Sequence, residues 1–291
     1  MPKYELSAPQ RVGNLAVNNF PSLLISLDRD RERRAHALEQ LNTIGIEPSI
    51  VSAVDGHDEQ FNFKHYSHLS RGKWWDMKKF KPGAFGCYLS HAACWRRIRD
   101  NADAFWLICE DDMVIENASF DKLMEAVFPA DFDVIFANAG TARFLDPVIS
   151  PGERAVRNFE PLNNVVRRLV TAGKFTDQLT PGSYGYFVSR KGASKLLDIM
   201  EREKICMGVD YSMVFGSLSA FDMKAINQHP LTSSYLEIYL DNVQCDAERL
   251  WPGPRISLES YVWSGTPVFR HRADFGSSLD HEKFLGFDVF D

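Results

Sequence analysis

The chain has 291 residues, 45% hydrophobic and 25% charged, with 39 acidic against 33 basic side chains, a formal net charge of -6 and a pI near 5.8. That is enough apolar material for one large α/β domain, or one domain with an elaborated tail, and the mildly acidic balance argues against a nucleic-acid binder, whose footprint is a basic face. The opening MPKYELSAPQRVGN has no apolar signal core, and no apolar run approaches the ~20 residues that span a bilayer.

Pro21 to Leu27 (PSLLISL) reads as a buried strand, with Asp28 as a helix N-cap and Ala37, Leu38, Leu41 and Ile44 at helical spacing before a stop at Gly45. Glu47 to Ala53 is a second strand leading into Val54-Asp55-Gly56, and this strand, helix, strand order opens a wound α/β sheet. Residues 57–81 are polar, aromatic and irregular. A helix follows from about Ala84 to Asp100, then Ala104 to Cys109 (AFWLIC), an unbroken apolar run that suits a strand covered on both faces. Ser119 is read as capping a short helix to Val127, and Phe132 to Ala137 as a strand. Residues 141–181 are the least regular, interrupted by an amphipathic helix around Leu162 to Ala172. Tyr184 to Val188 is strand-like, Ser189 opens a helix, another helix follows Tyr211, and Phe221 to Ile226 reads as a strand. The last ~60 residues are aromatic, Pro- and Gly-rich and lack clear periodicity. The five cysteines (Cys87, Cys94, Cys109, Cys206, Cys245) are odd in number and include no C-x-x-C pair, which fits a reduced cytosolic setting better than a disulfide framework or zinc site.

The strand at Ala104 to Cys109 ends in Glu110-Asp111-Asp112. Like charges this close raise one another's pKa, so a stable cluster wants a cation. Hard divalent ions take oxygen ligands and bridge to phosphates, and ligands gather outside the carboxyl ends of strands in open α/β sheets. Residues two apart on an extended segment point the same way, so Glu110 and Asp112 are expected to converge while Asp111 faces elsewhere. Taken alone, the triplet is equally readable as a solvated acidic turn.

Four separated blocks resemble glycosyltransferase family 25, which includes lipooligosaccharide and procollagen galactosyltransferases. They are Ile25-Ser26-Leu27-Asp28-Arg29 with Arg33 and Ala53-Val54-Asp55-Gly56; GAFGCYLSHAACW from Gly83 to Trp95; LICEDD from Leu107 to Asp112; and GSYGYFVSRKGASKLL from Gly182 to Leu197, followed by Gly208-Val209-Asp210-Tyr211. They cover roughly residues 21 to 215, in the family's order. Ala84 stands where the family usually has Glu, and Ser26 where it usually has Asn.

The resemblance implies a GT-A-like fold, a wound and mostly parallel sheet flanked by helices, with an irregular C-terminal extension. The expected organisation is an N-terminal extension over 1–20, a catalytic domain over 21–230 and a C-terminal extension over 231–291 packed on it. The implied function is metal-dependent, inverting transfer of a hexose, first of all galactose from UDP-galactose, to an oligosaccharide such as lipopolysaccharide or lipooligosaccharide. The cofactor is Mn²⁺ or Mg²⁺, with Glu110 and Asp112 as metal ligands and His229 or His271 left open as a third. Donor-binding residues are Leu27, Arg29, Asp55, Lys81, Gly83, Ser90, His91 and Asp111. Tyr184 and Tyr186 are assigned to the acceptor, and Asp210 is the general base. Arg33 is placed either on the diphosphate or on a solvated helix face. The partners are a UDP-sugar and an oligosaccharide, without nucleic acid. The expected location is the cytoplasm, with room for peripheral association at the inner membrane face. Two alternatives stand beside this: a nucleotidyltransferase that makes the sugar nucleotide, disfavoured because SLDRDRERR after the first strand lacks glycine, and a non-catalytic sugar-nucleotide-binding relative, disfavoured by the intact acidic triplet.

Overall fold

A computed structural model of the chain describes residues 20–58, 61, 82–241 and 255–272. Its centre is a seven-stranded sheet in the order β2-β1-β3-β7-β5-β8-β6. The strands are β1 (Ser22–Ser26), β2 (Ser49–Ser52), β3 (Phe105–Glu110), β5 (Val134–Phe136), β6 (Phe159–Pro161), β7 (Gly185–Ser189) and β8 (Ser260–Trp263). β1 pairs in parallel with both β2 and β3, and β5 with β8; β7 runs antiparallel to β3 and β5, and β6 to β8. Five of the seven strands therefore share one direction, and β7 and β6 oppose them. A separate two-stranded ribbon joins β4 (Met113–Ile115) to β9 (Phe269–His271), antiparallel, with Met113 opposite His271.

The side-chain period of two along the strands divides the apolar residues between two cores. Leu23, Ile25, Trp106, Ile108, Val134, Phe136, Tyr186 and Val188 enter one core. Leu24, Leu107, Cys109, Ile135 and Phe187 enter the other. Helices α2 (Pro82–Arg99), α6 (Leu162–Thr171), α7 (Arg190–Glu203) and α8 (Val209–Gly216) contribute buried residues to the first core. Helices α1 (Arg31–Thr43) and α3 (Asn117–Glu125), with the β4-β9 ribbon, contribute to the second. Both faces are covered, which explains the unbroken apolar run of β3.

Helix α1 leads from β1 to β2 across one face, and α2 returns from β2 to β3 across the other. The winding thus reverses around β1, which is where open sheets leave a crevice at the strands' carboxyl ends. The close seating of α2 depends on glycine. A Cβ on Gly86 would lie 2.4 Å from the Val54 carbonyl oxygen, and one on Gly56 would lie 1.9 Å from that of Pro82. These two contacts clamp the N-terminal turns of α2 against the loop after β2.

Short helices α4 (Ala139–Ala142) and α5 (Pro151–Val156) occupy the irregular stretch before α6, and α5 starts on a capping box between Ser150 and Glu153. The Ser189 side chain accepts the Gly192 amide and caps α7 as expected. Gly45, at φ 73°, ends α1.

Several local expectations are corrected. Phe221 to Ile226 belongs to a helix, α9 (Ala220–Ile226), because Ser219 and Asp222 form a capping box. Asp28 does not cap α1; Asp30 holds that position, and the Asp28 carboxylate instead accepts from Ser52 and pairs with Arg34. Ser119 lies inside α3, whose N-cap is Glu116. The aperiodic tail supplies β8, an interior strand between β5 and β6, and β9. Among the described residues no helix is long and apolar enough to cross a membrane.

The tail strand is anchored by a buried ion pair. Arg255 Nε lies 3.0 Å from Glu203 Oε1, with both side chains at most 4% exposed, and Tyr239 bonds to both. Removing one partner strands the other charge, so Glu203→Ala is expected to lower stability by about 3–5 kcal/mol, read by urea unfolding. Gly86→Ala, by pressing on a backbone carbonyl, is expected to lower it by about 1–3 kcal/mol and to reduce Tm, whereas alanine at the open Gly152 should leave Tm unchanged or raised.

Candidate functional site

The crevice at the carboxyl ends of β1, β2 and β3 is a cleft of about 620 Å³, counting its open mouth. Three loops and one helix line it. The β1 loop brings Leu27, Arg29 and, one turn into α1, Arg33; the β2 loop brings Asp55, Gly56 and His57; β3 ends in Glu110, Asp111 and Asp112; and α2 presents Gly83, Cys87 and Ser90.

Ser90 holds one wall together, its hydroxyl accepting the Val54 amide at 2.8 Å and donating to the Gly86 carbonyl at 2.7 Å. Arg29 forms an ion pair with Asp55, whose other oxygen accepts the His57 amide at 3.0 Å. Arg34 holds the β1 loop from outside by donating to the Leu27 carbonyl at 2.9 Å and to Ser26 Oγ at 3.1 Å.

The acidic corner is organised differently from the expectation. β3 ends at Glu110 and the chain turns at 111–112, so strand alternation no longer governs where these side chains point. Asp111 and Asp112 converge, and one Arg33 nitrogen lies 2.9 Å from an oxygen of each. Glu110 turns toward α2, accepting from Ser183 Oγ at 2.5 Å and lying 3.2 Å from His91 Nε2. Burial pushes Glu110 upward, but His91 and Ser183 outweigh it and leave its pKa below the usual carboxylate value. Burial lifts Asp111 to about 6, with Arg33 and Ser26 pulling the other way.

Of the two histidines left open by the sequence, His271 meets this corner. The β4-β9 register sets it opposite Met113, with Nε2 3.3 Å from Asp112 Oδ2, and that bond raises its pKa. His229 follows α9, its amide bonded to the Ile226 carbonyl, and is not among the cleft residues. Asp112 Oδ1 and Asp111 Oδ2 are buried without a hydrogen-bond partner. Orphaned carboxylate oxygens beside an imidazole suit a hard divalent cation. The residues at this corner therefore fit Mn²⁺ or Mg²⁺, with Asp112, Asp111 and His271 as the groups that would hold it.

His91, Tyr186 and Trp95 lie beneath the cleft. His91 is fully buried, its Nδ1 2.8 Å from the Tyr186 hydroxyl, which also accepts from Trp95 Nε1 at 2.9 Å. Tyr186 is likewise fully buried and presents no face to a sugar in this arrangement. Tyr184 is half-buried, its hydroxyl accepting the Gly140 amide at 2.7 Å and its ring centroid 6.0 Å from that of His271. Asp210 lies in the first turn of α8, whose N-cap is Gly208. Its carboxylate accepts the Gly182 amide at 3.1 Å and the Tyr211 amide at 2.9 Å. Burial, reinforced by the Glu110 charge, raises its pKa. Lys81 falls outside the described residues.

Sequence reasoning missed Arg33 as the counter-ion of the corner, treating its helix face as equally solvated; its side chain is 13% exposed. The available signal was position, one turn into the helix that follows β1. Ser183, which holds Glu110, gave no signal of its own.

Comparison with known proteins places the chain in a family. Residues 19–213 match the family model described as "Glycosyltransferase family 25 (LPS biosynthesis protein)". The chain is 29% identical over 185 residues to human procollagen galactosyltransferase 2, covering 60% of this chain and 26% of that protein. It is 27% identical over 183 residues to Xenopus laevis procollagen galactosyltransferase 1-A, covering 60% and 27%. It is also 27% identical over 221 residues to a Haemophilus influenzae protein named "Putative glycosyltransferase", covering 75% and 70%. The chain thus spans about a quarter of the length of the procollagen galactosyltransferases it matches. A match over residues 19–213 takes in every residue that lines the cleft, and Asp210 besides, and the chain belongs to glycosyltransferase family 25.

Proposed function

We propose that this chain is a glycosyltransferase that moves a hexose, first of all galactose from UDP-galactose, to an oligosaccharide acceptor with inversion, using Mn²⁺ or Mg²⁺. The observation that carries this is the corner where Asp111 and Asp112 keep buried, unpartnered oxygens beside His271, at the mouth of a cleft built on three parallel strand ends. The relatives named as galactosyltransferases point to the donor. The family description, "LPS biosynthesis protein", points to a lipopolysaccharide-type acceptor. The four cysteines among the described residues are free, in keeping with a reducing, cytoplasmic setting.

When bound, the divalent ion supplies a Lewis acid that offsets charge developing on the departing diphosphate. The chain's own groups do the rest. Asp55 accepts from the uridine base or ribose, and Arg29 and Arg33, which line the cleft from the β1 side, face the diphosphate. Leu27, Gly83 and Ser90 shape the donor wall, with Lys81 proposed as a further phosphate contact. His91 acts from below, holding Glu110 in its ionised form. Tyr184, beside His271, lies on the acceptor side. Tyr186, first assigned to the acceptor, instead orients His91. Asp210 takes the proton from the acceptor hydroxyl. Its raised pKa brings it closer to neutrality, where a general base is most effective, and such catalysis is worth roughly 10²–10⁴-fold.

Asp112→Asn is expected to abolish the extra thermal stabilisation that Mn²⁺ gives with UDP and to remove turnover of the UDP-sugar. Unchanged turnover would show that Asp112 does not hold the ion. Asp210→Asn is expected to keep UDP affinity within a few-fold while cutting kcat by about 10²–10⁴; retained transfer with weakened donor binding would remove it from the base role. Assaying a panel of UDP- and GDP-sugars for slow hydrolysis identifies the donor without knowledge of the acceptor, with UDP-galactose expected to turn over fastest.

A further inference from the structure

The floor of the cleft carries a second donor set, chemically unlike the oxygen-rich corner. Cys87 and His91 are four residues apart on α2 and so share one helix face. The end of β3 brings Glu110 to that face. One ligand atom from each of Cys87, His91 and Glu110 lies within 4.8 Å of the others. A tetrahedral zinc ion, with bonds of about 2.0–2.3 Å, keeps its ligand atoms roughly 3.3–3.8 Å apart, so small side-chain movements suffice to close the three around one.

The surroundings are arranged as such a site requires. His91 turns Nδ1 to the Tyr186 hydroxyl, which Trp95 holds, leaving Nε2 directed at Glu110. Metal-binding histidines are oriented in this way, by a fixed partner on the nitrogen away from the metal. Cys87 and Glu110 line the cleft, so an ion reaches them from solvent although His91 is buried. Burial, and then the charges of Glu110, Asp210 and Asp112, raise the Cys87 pKa, so the thiol stays protonated until a cation binds and offsets them. Thiol and imidazole donors select zinc-like ions over Mg²⁺ and Mn²⁺, which prefer oxygen.

We propose that Cys87, His91 and Glu110 form a site for a soft divalent cation of the zinc type at the floor of the cleft, distinct from the Asp111-Asp112 corner. On binding, the Cys87 thiol releases its proton to solvent, the single His91 proton changes place from Nε2 to Nδ1, where it is donated to the Tyr186 hydroxyl, Glu110 exchanges its bond to Ser183 for the ion, and a fourth position is left to water. The site rests on this geometry and not on the transferase reading, so its test measures metal binding directly.

The test is titration of the full chain with Co²⁺ alone, followed by the near-ultraviolet thiolate-to-cobalt charge-transfer band. The wild type is expected to develop the band to saturation at one equivalent and to lose it on addition of Zn²⁺ but not of excess Mg²⁺. Cys87→Ser and Cys87→Ala should both abolish it, while Cys245→Ser and Asp112→Asn should retain it. Absence of the band from the folded wild type, its persistence in both Cys87 variants, or its loss in Asp112→Asn would overturn the assignment.

Discussion

At the end of β3 two buried carboxylates, Asp111 and Asp112, share one guanidinium nitrogen of Arg33 at 2.9 Å each. Two like unit charges held at about 4 Å repel by roughly 4 kcal/mol at the effective dielectric of a protein surface, and a shared cation between adjacent carboxylates offsets such repulsion. Arg33 supplies it from the first turns of α1, and the corner's shape follows from that: β1 must deliver α1 beside β3, and the parallel β1-β3 pairing does so. Arg33 does not use every carboxylate oxygen. The remaining buried oxygens, with His271 brought up by the β4-β9 ribbon, are the feature on which the proposed divalent-ion site rests.

The rest of the cleft answers to the same arrangement. Glu110 is drawn away from its two acidic neighbours because His91 and Ser183 offer it a better environment, and a chain of hydrogen bonds through Tyr186 to Trp95 fixes His91 from the core. Asp210 is tied by the Gly182 amide to the loop that carries Ser183, so the carboxylate assigned as base and the carboxylate at the floor are linked through two adjacent residues, Gly182 and Ser183. The helix that forms the opposite wall approaches closely only because Gly56 and Gly86 have no side chains.

Much of this was legible beforehand. β3 is legible as an unbroken apolar run because a strand covered on both faces has no polar positions to blur the pattern, β1 reads as a short apolar run, and Tyr184 to Val188 reads as strand-like at β7. The helices at α2 and α7 were found from spacing and from Ser189 as a cap. The helix at Ala220–Ile226 was misread as a strand because seven residues are too few for a helical period to separate from alternation, and the capping box at Ser219 and Asp222 was the overlooked clue. β8 was missed because its four residues sit in a tail of mixed composition, and they become a strand only where β5 and β6 leave a vacant position between them.

The residue types of the cleft were determined by the sequence alone: an acidic triplet after a buried strand, arginines one turn into the next helix, and a Gly-Ser-His-bearing helix are local patterns with local physical meaning. The pairing within the triplet was decided by tertiary structure. Alternation predicts Glu110 with Asp112, but a turn after Glu110 and the pull of His91 from one side and Arg33 from the other give Asp111 with Asp112 instead. The choice of His271 over His229 belongs to the same class, since the two are equivalent in sequence and only the register of a ribbon joining residues 113 and 271 brings one of them to the corner. Partners far apart along the chain are selected by packing and charge in three dimensions, which no local pattern encodes.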